Sequence, residues 1–399
     1  MNVKGIGRRN ILNSLSRRLS EDLNFKSGKI FGSMCTEPHN FARSVYSAHL
    51  EKNIGDPGLL RGTLSLEGDC IRMIGTILSH PKATGHMVSG GTEANVMALW
   101  SARNESRKEK PEVILSSLAH HSFKKAGDML GLRLVVIPSD KHRLDASKIT
   151  NAITSNTILM IGTAGTTDLG LIDPIQEMSE ISCRFQIPIH VDASFGGFII
   201  PFLKDHGSDL PDFDFRLKGV RSITIDPHKM GMAPIPSGAV LFRNRRALDT
   251  ISYDTVYLAG GLKSRGTILG TSPGASIVSV WSLLNLMGQE GYQKTARSCM
   301  RLTEHLYQRL AGIDGVVVIS KPEMNVLGFR SSRMKISDLS RQLRNKGYAI
   351  STFPTHLRLV IMPHITRSHV EMFIETLIEV LGKNRHSSRA IKDRRSKAV

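Results

Sequence analysis

Short apolar runs rich in valine and isoleucine recur along the first two thirds of the chain. They are continuously apolar and do not alternate with polar residues, which is typical of strands in a parallel sheet covered on both faces. Six runs are predicted as strands: residues 112–117, 133–139, 157–163, 187–193, 222–226 and 238–243. Together they predict one buried central sheet.

Helical patterns lie between these runs, for example at residues 98–108 and 173–185. Strands that alternate with helices indicate an α/β fold built on a doubly wound, mostly parallel sheet. In such folds ligands bind outside the carboxyl ends of the strands. We therefore look for chemistry in the residues that directly follow each strand.

The pattern changes after about residue 280, where a long helical stretch leads into a short α+β region. This change predicts a large domain followed by a small C-terminal one. The chain is accordingly divided into an N-terminal segment that wraps around the core or a partner subunit, a large ligand-binding domain, a small domain and a basic disordered tail: residues 1–60, 61–290, 291–381 and 382–399.

Composition places the chain among ordinary globular proteins, with 399 residues, 40% hydrophobic and 22% charged. No apolar run reaches the length of a membrane span, and the N-terminus lacks the pattern of a secretory leader. The four cysteines are scattered and form no Cys-x-x-Cys pair, which favours reduced thiols and a cytoplasmic location.

The formal net charge of +18 raises the possibility of nucleic-acid binding. Much of the charge lies at residues 4–18 and in the tail at 383–397, where Asp393 is the single acidic residue. Aromatic residues do not interleave with these charges, and no zinc-finger or RRM pattern occurs. A solvated tail is therefore favoured over a nucleic-acid-binding one.

The stretch from Ser89 to Asn95 predicts the start of a helix that could bind an anion. Gly90 and Gly91 allow a tight turn, and Thr92 can cap the helix. The exposed amides and the positive end of the helix dipole would then favour a phosphate. Taken alone, such a pattern is more often an ordinary helix cap.

Three further polar groups follow predicted strands. His120 and His121 come after the first strand, without a third ligand at the spacing of a metal site. Asp192 ends another strand, and Lys229 lies just beyond residues 222–226. A buried ammonium is costly unless it is paired or neutralised, so Lys229 requires a partner.

A phosphate socket, a carboxylate, an imidazole and a lysine at neighbouring strand ends are the groups that pyridoxal phosphate requires. The lysine amine can bond to the cofactor aldehyde. A carboxylate beside the ring nitrogen keeps that nitrogen protonated, so that the ring accepts electrons. An imidazole against the ring fixes its plane. The combination therefore predicts a pyridoxal-phosphate enzyme.

On these motifs the chain resembles the group II pyridoxal-phosphate decarboxylases, in particular the archaeal L-tyrosine/L-aspartate decarboxylases. The resemblance implies the type I, aspartate-aminotransferase-like fold. The most specific block is Asp-Pro-His-Lys-Met-Gly at residues 226–231. The matching stretches cover most of the chain: residues 27–39, 53–63, 89–99, 119–130, 163–175, 190–202, 226–243 and 357–377.

The resemblance also implies roles for single residues. Lys229 would be the Schiff-base lysine, Asp192 would pair with the pyridinium nitrogen, and His120 would stack on the ring. His120 fits the family pattern His-x-Ser-x-x-Lys better than His121 does. The other implied cofactor contacts are small or polar residues: Gly91, Thr92, Thr166, Ser194 and His228.

Arg358 matches the position that binds the substrate α-carboxylate in the family. His39 is a further candidate for substrate binding, and Tyr253 and Tyr257 are candidates for lining the side-chain pocket. Active sites of the type I fold lie at a dimer interface, so the resemblance implies a homodimer with a shared active site.

Two residues depart from the family pattern. Ser272 stands where archaeal relatives usually carry arginine, and Ser194 stands where alanine is usual. The change at Ser272 would affect the binding of the cofactor phosphate or of the substrate, whereas the change at Ser194 replaces one small side chain by another. Both changes bear more on which substrate is bound than on which cofactor is bound.

The resemblance implies decarboxylation of an L-amino acid. Two products are expected: β-alanine from aspartate for coenzyme A biosynthesis, or tyramine from tyrosine for methanofuran biosynthesis. The basic charge balance favours the dianionic aspartate. Glutamate decarboxylase, a carbon–carbon lyase of the sphingosine-phosphate-lyase type, and a basic nucleic-acid-binding protein with an inactive core remain as alternatives.

Overall fold

The computed structural model describes residues 4–56, 58–140, 142–204, 207–259 and 263–396. Within these residues, the central sheet has seven strands. In chain order they are β1 Thr84–Val88, β2 Glu112–Ser116, β3 Arg133–Ile137, β4 Thr157–Thr163, β5 Ile189–Asp192, β6 Val220–Ile225 and β7 Gly238–Phe242.

The strands lie in the order β1-β7-β6-β5-β4-β2-β3. Strands β3, β2, β4, β5 and β6 pair in parallel, and β7 is antiparallel to both of its neighbours. The predicted α/β class with a mostly parallel sheet is confirmed, and all six predicted strands are present. Strand β1 was not predicted because its sequence, Thr-Gly-His-Met-Val, contains polar residues and is only partly buried.

Helices cover both faces of this sheet, as the alternating pattern predicted. Strands β2, β4 and β7 are buried at every residue, which explains their continuous apolar sequences. The helices up to β8 are α1 Arg8–Leu19, α2 Asn40–Ala48, α3 Arg61–Ile77, α4 Gly91–Glu105, α5 Ser122–Leu130, α6 Ala146–Ala152, α7 Ile175–Phe185, α8 Ile200–Lys204 and α9 Arg245–Asp249.

A smaller four-stranded sheet follows in the last third of the chain, in the order β10-β11-β13-β12. The long helix α10 leads to it and is interrupted at Gly288, whose φ of 53° lies outside the helical region. The elements of this part, with the preceding two-stranded hairpin, are β8 Tyr253–Thr255, β9 Lys263–Arg265, α10 Gly274–Ala311, β10 Val316–Val318, β11 Val326–Ser331, α11 Ile336–Asn345, β12 Ser351–Thr352, β13 Leu357–Val360 and α12 Arg367–Ser396.

The C-terminal end of the described chain is helix α12, whose backbone runs to Ser396. The predicted disordered tail, residues 382–399, overlaps its last turns and stays a prediction. The stretch after Gly382 contains neither glycine nor proline and is rich in lysine and arginine, which favour helix.

The N-terminal segment contacts the small sheet and the residues that precede helix α10. Phe31 N–H donates to the carbonyl of Ala349 (3.0 Å), and the carbonyl of Phe31 accepts from Val360 N–H (2.7 Å). Further along, Ile54 N–H donates to the carbonyl of Ser272 (3.1 Å). Helix α1, in contrast, has no buried residue. The structure describes no helix with the length and apolar character needed to cross a bilayer.

Candidate active site

Side chains that follow strands β2, β5 and β6 meet around a cavity of about 310 Å³. The walls also include the start of helix α4, from Ser89 to Glu93. The polar side chains contributed by the strand ends are His120, Asp192, Ser194, Asp226, His228 and Lys229. The structure thus brings together the lysine, the carboxylate and the imidazole that the sequence indicated.

Lys229 lies in a turn directly after β6, where its N–H donates to the carbonyl of Asp226 (3.0 Å). Its Nζ is 3.1 Å from Oδ2 of Asp226, and about a fifth of the side chain is exposed. Burial would lower the pKa of Lys229, but the carboxylates of Asp226 and Asp192 outweigh it and raise the pKa above its ordinary value. The partner that a buried lysine requires is therefore Asp226.

Asp226 was given no role from the sequence, although it directly follows a strand. Its side chain is 2% exposed, and Oδ2 also lies 3.6 Å from Nε2 of His228. Oδ1 is buried and has no hydrogen-bond partner among the described residues. Burial lowers the pKa of His228, and the neighbouring Asp226 opposes this. Asp226 thus lies between the lysine and the histidine of the motif.

Asp192 ends strand β5 and is buried. Oδ1 accepts a hydrogen bond from Ser194 N–H (3.0 Å), and Oδ2 accepts one from Nδ2 of Asn95 (2.9 Å). Burial alone would raise the pKa of Asp192, but the ammonium of Lys229 and the bonds from Ser194 and Asn95 hold it below its ordinary value. Asp192 is therefore an ionised carboxylate.

His120 lies between β2 and α5, on the cavity wall. Its Nδ1 is 2.9 Å from Oγ of Ser122 and accepts a hydrogen bond from Ser122 N–H (3.3 Å). Burial lowers the pKa of His120, which the charge of Asp192 only partly offsets. The imidazole is therefore neutral near pH 7.

Helix α4 starts with its amides open to the cavity. Gly90 is its N-cap, and no side chain caps this end among the described residues. The Glu93 carboxylate in the first turn accepts bonds from Ser89 N–H (2.8 Å) and Ser89 Oγ (2.7 Å). A Cβ at Gly91 would lie 2.4 Å from Oγ of Ser194, so only glycine fits this approach. Such an uncapped helix start suits an anion.

Three residues with predicted roles do not line this cavity. The hydroxyl of Thr166 accepts a hydrogen bond from Leu171 N–H (3.1 Å) and serves the turn after β4. His39 caps helix α2, and its N–H donates to the carbonyl of Met232 (2.9 Å). Arg358 lies on β13 of the small sheet and reaches the cavity wall only through the carbonyl of Thr167.

The remaining candidates also lie outside this cavity. Ser272 is 5% exposed, and its carbonyl accepts from Ile54 N–H. Tyr253 and Tyr257 belong to the β8–β9 hairpin region and are 63% and 85% exposed. In this chain, therefore, neither tyrosine lines the cavity beside Lys229.

The cavity fits pyridoxal phosphate on the observations above. It offers an amine for the aldehyde, an ionised carboxylate for the ring nitrogen, a neutral imidazole for the ring face and an uncapped helix start for the phosphate. A Cβ at Gly91 would crowd Ser194 and Asp226, so glycine at this helix start keeps both side chains of the cavity wall in place. The fold and the site together define a pyridoxal-phosphate enzyme.

Comparison with known proteins agrees with this class. The family pattern described as the pyridoxal-dependent decarboxylase conserved domain matches residues 61–332. The chain belongs to this family, and it is a pyridoxal-phosphate-dependent carboxy-lyase of amino acids.

Two curated relatives match nearly their whole length. An L-aspartate/L-glutamate decarboxylase of Pyrococcus horikoshii is 45% identical over 379 residues, covering 95% of this chain and 98% of the relative. A probable L-tyrosine/L-aspartate decarboxylase of Methanothermobacter thermautotrophicus is 48% identical over 358 residues, covering 89% and 98%. The resemblance drawn from the motifs is confirmed.

Two solved structures show the same fold. A sphingosine-1-phosphate lyase of Burkholderia pseudomallei superposes with a TM-score of 0.89 at 26% identity, covering 100% of this chain and 96% of that chain. A glutamate decarboxylase of Lactobacillus brevis superposes with a TM-score of 0.86 at 22% identity, covering 96% and 94%. The predicted fold class is confirmed.

Proposed function

We propose that this enzyme decarboxylates L-aspartate to β-alanine. The observation that carries the reaction type is the single cavity that joins Lys229, Asp192 and His120 next to an uncapped helix start. Aspartate is the substrate that the names of both curated relatives described above share. The basic charge of the chain also favours a dianionic substrate.

The residues of the cavity divide the work. Bound pyridoxal phosphate supplies the electron sink for the bond that breaks at Cα. The start of α4 at Gly91 and Thr92 would hold the phosphate, with help from Ser194 and His228. Asp192 would keep the ring nitrogen protonated, and His120 would fix the plane of the ring. The α-carboxylate leaves as carbon dioxide, and a proton takes its place.

Arg358 would bind the substrate α-carboxylate. Its guanidinium is 6% exposed and donates to the carbonyls of Thr167 and Gly32 and to Oγ of Ser351. None of these partners is a carboxylate, and Nε is buried without a partner among the described residues. Burial lowers the pKa of Arg358 to about 10, so it stays cationic at neutral pH. Such a cation is suited to an incoming carboxylate.

Replacing Arg358 by lysine should raise KM for the amino acid about 10- to 100-fold, the scale of a lost charged hydrogen bond. The fall in kcat should be smaller. Steady-state kinetics with saturating cofactor measure both values. Arg330→Lys, an exposed arginine on β11 of the same sheet, is the matched control. Native KM in Arg358→Lys, with a native melting temperature, would remove Arg358 from the substrate site.

The substrate proposal is tested by incubating the holoenzyme separately with aspartate, tyrosine and glutamate. Carbon dioxide and the amine are measured together. β-Alanine formed at the highest kcat/KM supports the proposal and places the enzyme in the supply of β-alanine for coenzyme A. Tyramine as the main product would replace aspartate by tyrosine and point to methanofuran biosynthesis, and γ-aminobutyrate would replace it by glutamate.

A second candidate is a carbon–carbon lyase acting on a long-chain amine phosphate. The superposition on the Burkholderia lyase over the whole chain favours including it. A long-chain phosphorylated amino alcohol, added to the same set of substrates, distinguishes the two. Release of an aldehyde from it without any amine from the amino acids would overturn the decarboxylase proposal.

We also propose that the enzyme is a homodimer in which helix α1 packs on the partner subunit. One face of α1 is apolar and exposed, with Ile11, Leu12, Leu15 and Leu19 between 45% and 59% exposed. A face of this kind at i, i+1, i+4 and i+8 is the stripe that a helix normally buries.

Placing a charge on this face should separate the subunits. Leu15→Asp would bury an unpaired carboxylate in the interface and weaken dimerisation by roughly 100-fold. Sedimentation velocity over a concentration series measures this. Asn13→Asp, on the opposite face of the same helix, controls for the added charge. An unchanged dimer of Leu15→Asp would exclude α1 from the interface.

Finally, we propose a cytoplasmic location. All four cysteines, Cys35, Cys70, Cys183 and Cys299, are free thiols. Burial raises the pKa values of Cys70 and Cys299, which keeps them unreactive. Free thiols of this kind are typical of a reducing compartment.

A further inference from the structure

Asn95 joins the two groups that face the cofactor ring. It lies in the second turn of α4 and is fully buried. Its Nδ2 donates to Oδ2 of Asp192 (2.9 Å) and to Oγ of Ser122 (2.9 Å). Its Oδ1 is 3.0 Å from Nε2 of His190. Asn95 therefore uses both amide hydrogens and its carbonyl oxygen inside the protein.

These bonds fix the orientation of every donor. The Asp192 carboxylate can only accept, so the amide nitrogen of Asn95 must point toward it. The second amide hydrogen goes to Ser122 Oγ, and the hydroxyl hydrogen of Ser122 is left for Nδ1 of His120 at 2.9 Å. Ser122 N–H points at the same Nδ1 (3.3 Å). Two donors therefore face Nδ1, and the proton of the neutral ring is on Nε2.

His190 anchors the other side of Asn95. It is fully buried, with Nδ1 2.9 Å from Oγ of Ser222 and Nε2 also 3.3 Å from Oγ1 of Thr224. Burial lowers its pKa to about 4, so it is neutral at working pH. A neutral His190 with its proton on Nε2 donates to Asn95 Oδ1. The amide of Asn95 is thereby held in one orientation.

We propose that Asn95 is a positioning residue that sets the protonation of both ring contacts at once. It keeps Asp192 ionised by donating to Oδ2, and through Ser122 it keeps the proton of His120 on Nε2. The two roles serve one purpose. An ionised Asp192 stabilises the protonated ring nitrogen, and a neutral His120 places no positive charge against the same ring.

Charged and titratable groups surround Asp192 and His120. His120 is influenced by Asp192, His121, Lys229 and Asp226, and the two carboxylates oppose the cationic neighbours. Asp192 is influenced by Lys229 in the cavity, with His190 behind it. Lys229 faces both and lies closest to Asp226. The hydrogen bonds of Asn95 and Ser122 add to these charges and favour one protonation state among several.

The inference rests on the proposed roles of Asp192 and His120, and its test uses the holoenzyme reconstituted with pyridoxal phosphate labelled with ¹⁵N in the ring. The ¹⁵N shift of the ring nitrogen reports its protonation directly, in the absence of substrate. If the native enzyme binds no pyridoxal phosphate, the proposed function is wrong. If it binds the cofactor but the ¹⁵N shift is the same in the native enzyme and in the Asn95 variant, only the present inference is wrong.

Asn95→Leu keeps much of the volume and excludes water from replacing the lost donor. Asp192 then becomes the stronger base and draws the proton from the ring nitrogen. The ¹⁵N signal should move toward the unprotonated value, with the apparent pKa of the ring nitrogen lower by one unit or more. The kcat should fall at least about tenfold, with KM little changed. If this variant does not fold, Asn95→Ala is measured for the same shift.

Ser122→Ala tests the second arm alone. The ring-nitrogen signal should stay native, because the bond from Asn95 to Asp192 remains. His120 loses a donor at Nδ1, so its pKa rises and the acid limb of the kcat/KM profile moves to higher pH. Ser101→Ala, a buried serine on the same helix that donates to the carbonyl of Ala247, is the control. A native ring-nitrogen signal in the Asn95 variant, or a native acid limb in Ser122→Ala, overturns the corresponding arm.

Discussion

Replacement of Lys229 by alanine is expected to abolish amine production while the fold stays intact. In the proposed site its amine would bond to the cofactor aldehyde, and no other lysine lines the cavity among the described residues. Loss of a group that acts directly in the chemistry costs on the order of 10⁴–10⁶-fold in rate. The side chain is partly exposed and borders an open cavity, so its removal leaves no closed core void.

The measurement is amine formation under single-turnover and steady-state conditions, together with circular dichroism and the visible absorption of bound cofactor. Lys218→Ala, an exposed lysine that precedes β6, should behave as native in all three. Removing Lys229 also leaves Asp226 as a buried carboxylate without its cation, so a modest loss of thermal stability should accompany the lost activity. Turnover retained in Lys229→Ala would show that the cavity works by another chemistry.

Replacement of Asp192 by alanine should slow decarboxylation by about 10²–10³-fold, equivalent to roughly 3–4 kcal/mol in the barrier. Without the carboxylate, the ring nitrogen loses its proton near neutral pH and the ring becomes a weaker electron acceptor. The effect should appear in kcat, because in the proposed site other groups bind the phosphate and the substrate carboxylate.

Stopped-flow measurement of the decarboxylation step separates this effect from cofactor loss, provided that cofactor occupancy is checked by absorbance. Asp249→Ala, an exposed aspartate on α9, controls for the substitution itself. Asp192→Glu should restore only part of the rate, since the longer side chain displaces the oxygen that Asn95 now holds. A native rate constant at full occupancy in Asp192→Ala would remove Asp192 from the ring nitrogen.

The central sheet could be predicted because its strands are buried on both faces and read as unbroken apolar runs. Strand β1 could not be predicted in this way, because it is an edge strand with partly exposed polar residues. The last helix, Arg367–Ser396, is harder to read from sequence, because its C-terminal half is rich in lysine and arginine, which are compatible both with helix and with a solvated tail.

The candidate site was predictable where a residue ends a strand or lies in the loop that follows it. Lys229, Asp192 and His120 all meet this condition, and they line one cavity. Asp226 meets it too, but its role as the ion-pair partner of Lys229 is visible only in the structure. Asn95 could not be found in this way, because its importance depends on a contact with Ser122 that lies 27 positions away.

Thr166 shows that a residue in a motif close to the cavity need not contact the cavity. It lies between two residues that line the cavity, Gly165 and Thr167, yet its own hydroxyl serves the turn. A motif specifies which stretch of chain approaches a ligand, whereas the backbone geometry decides which side chain of that stretch points inward. Arg358 illustrates the same point on a larger scale, since the small sheet brings it to the cavity only through a backbone carbonyl.

The N-terminal segment acts as a tether between the small sheet and the turn that holds Lys229. At one end, Gly32 is hydrogen-bonded to Arg358 and Ala349. At the other end, His39 N–H donates to the carbonyl of Met232. The seven residue steps between these points can span at most about 25 Å. This length limits how far the small sheet can move away from the turn that contains Lys229. A displacement of Gly32 is transmitted to that turn along the backbone of residues 32–39.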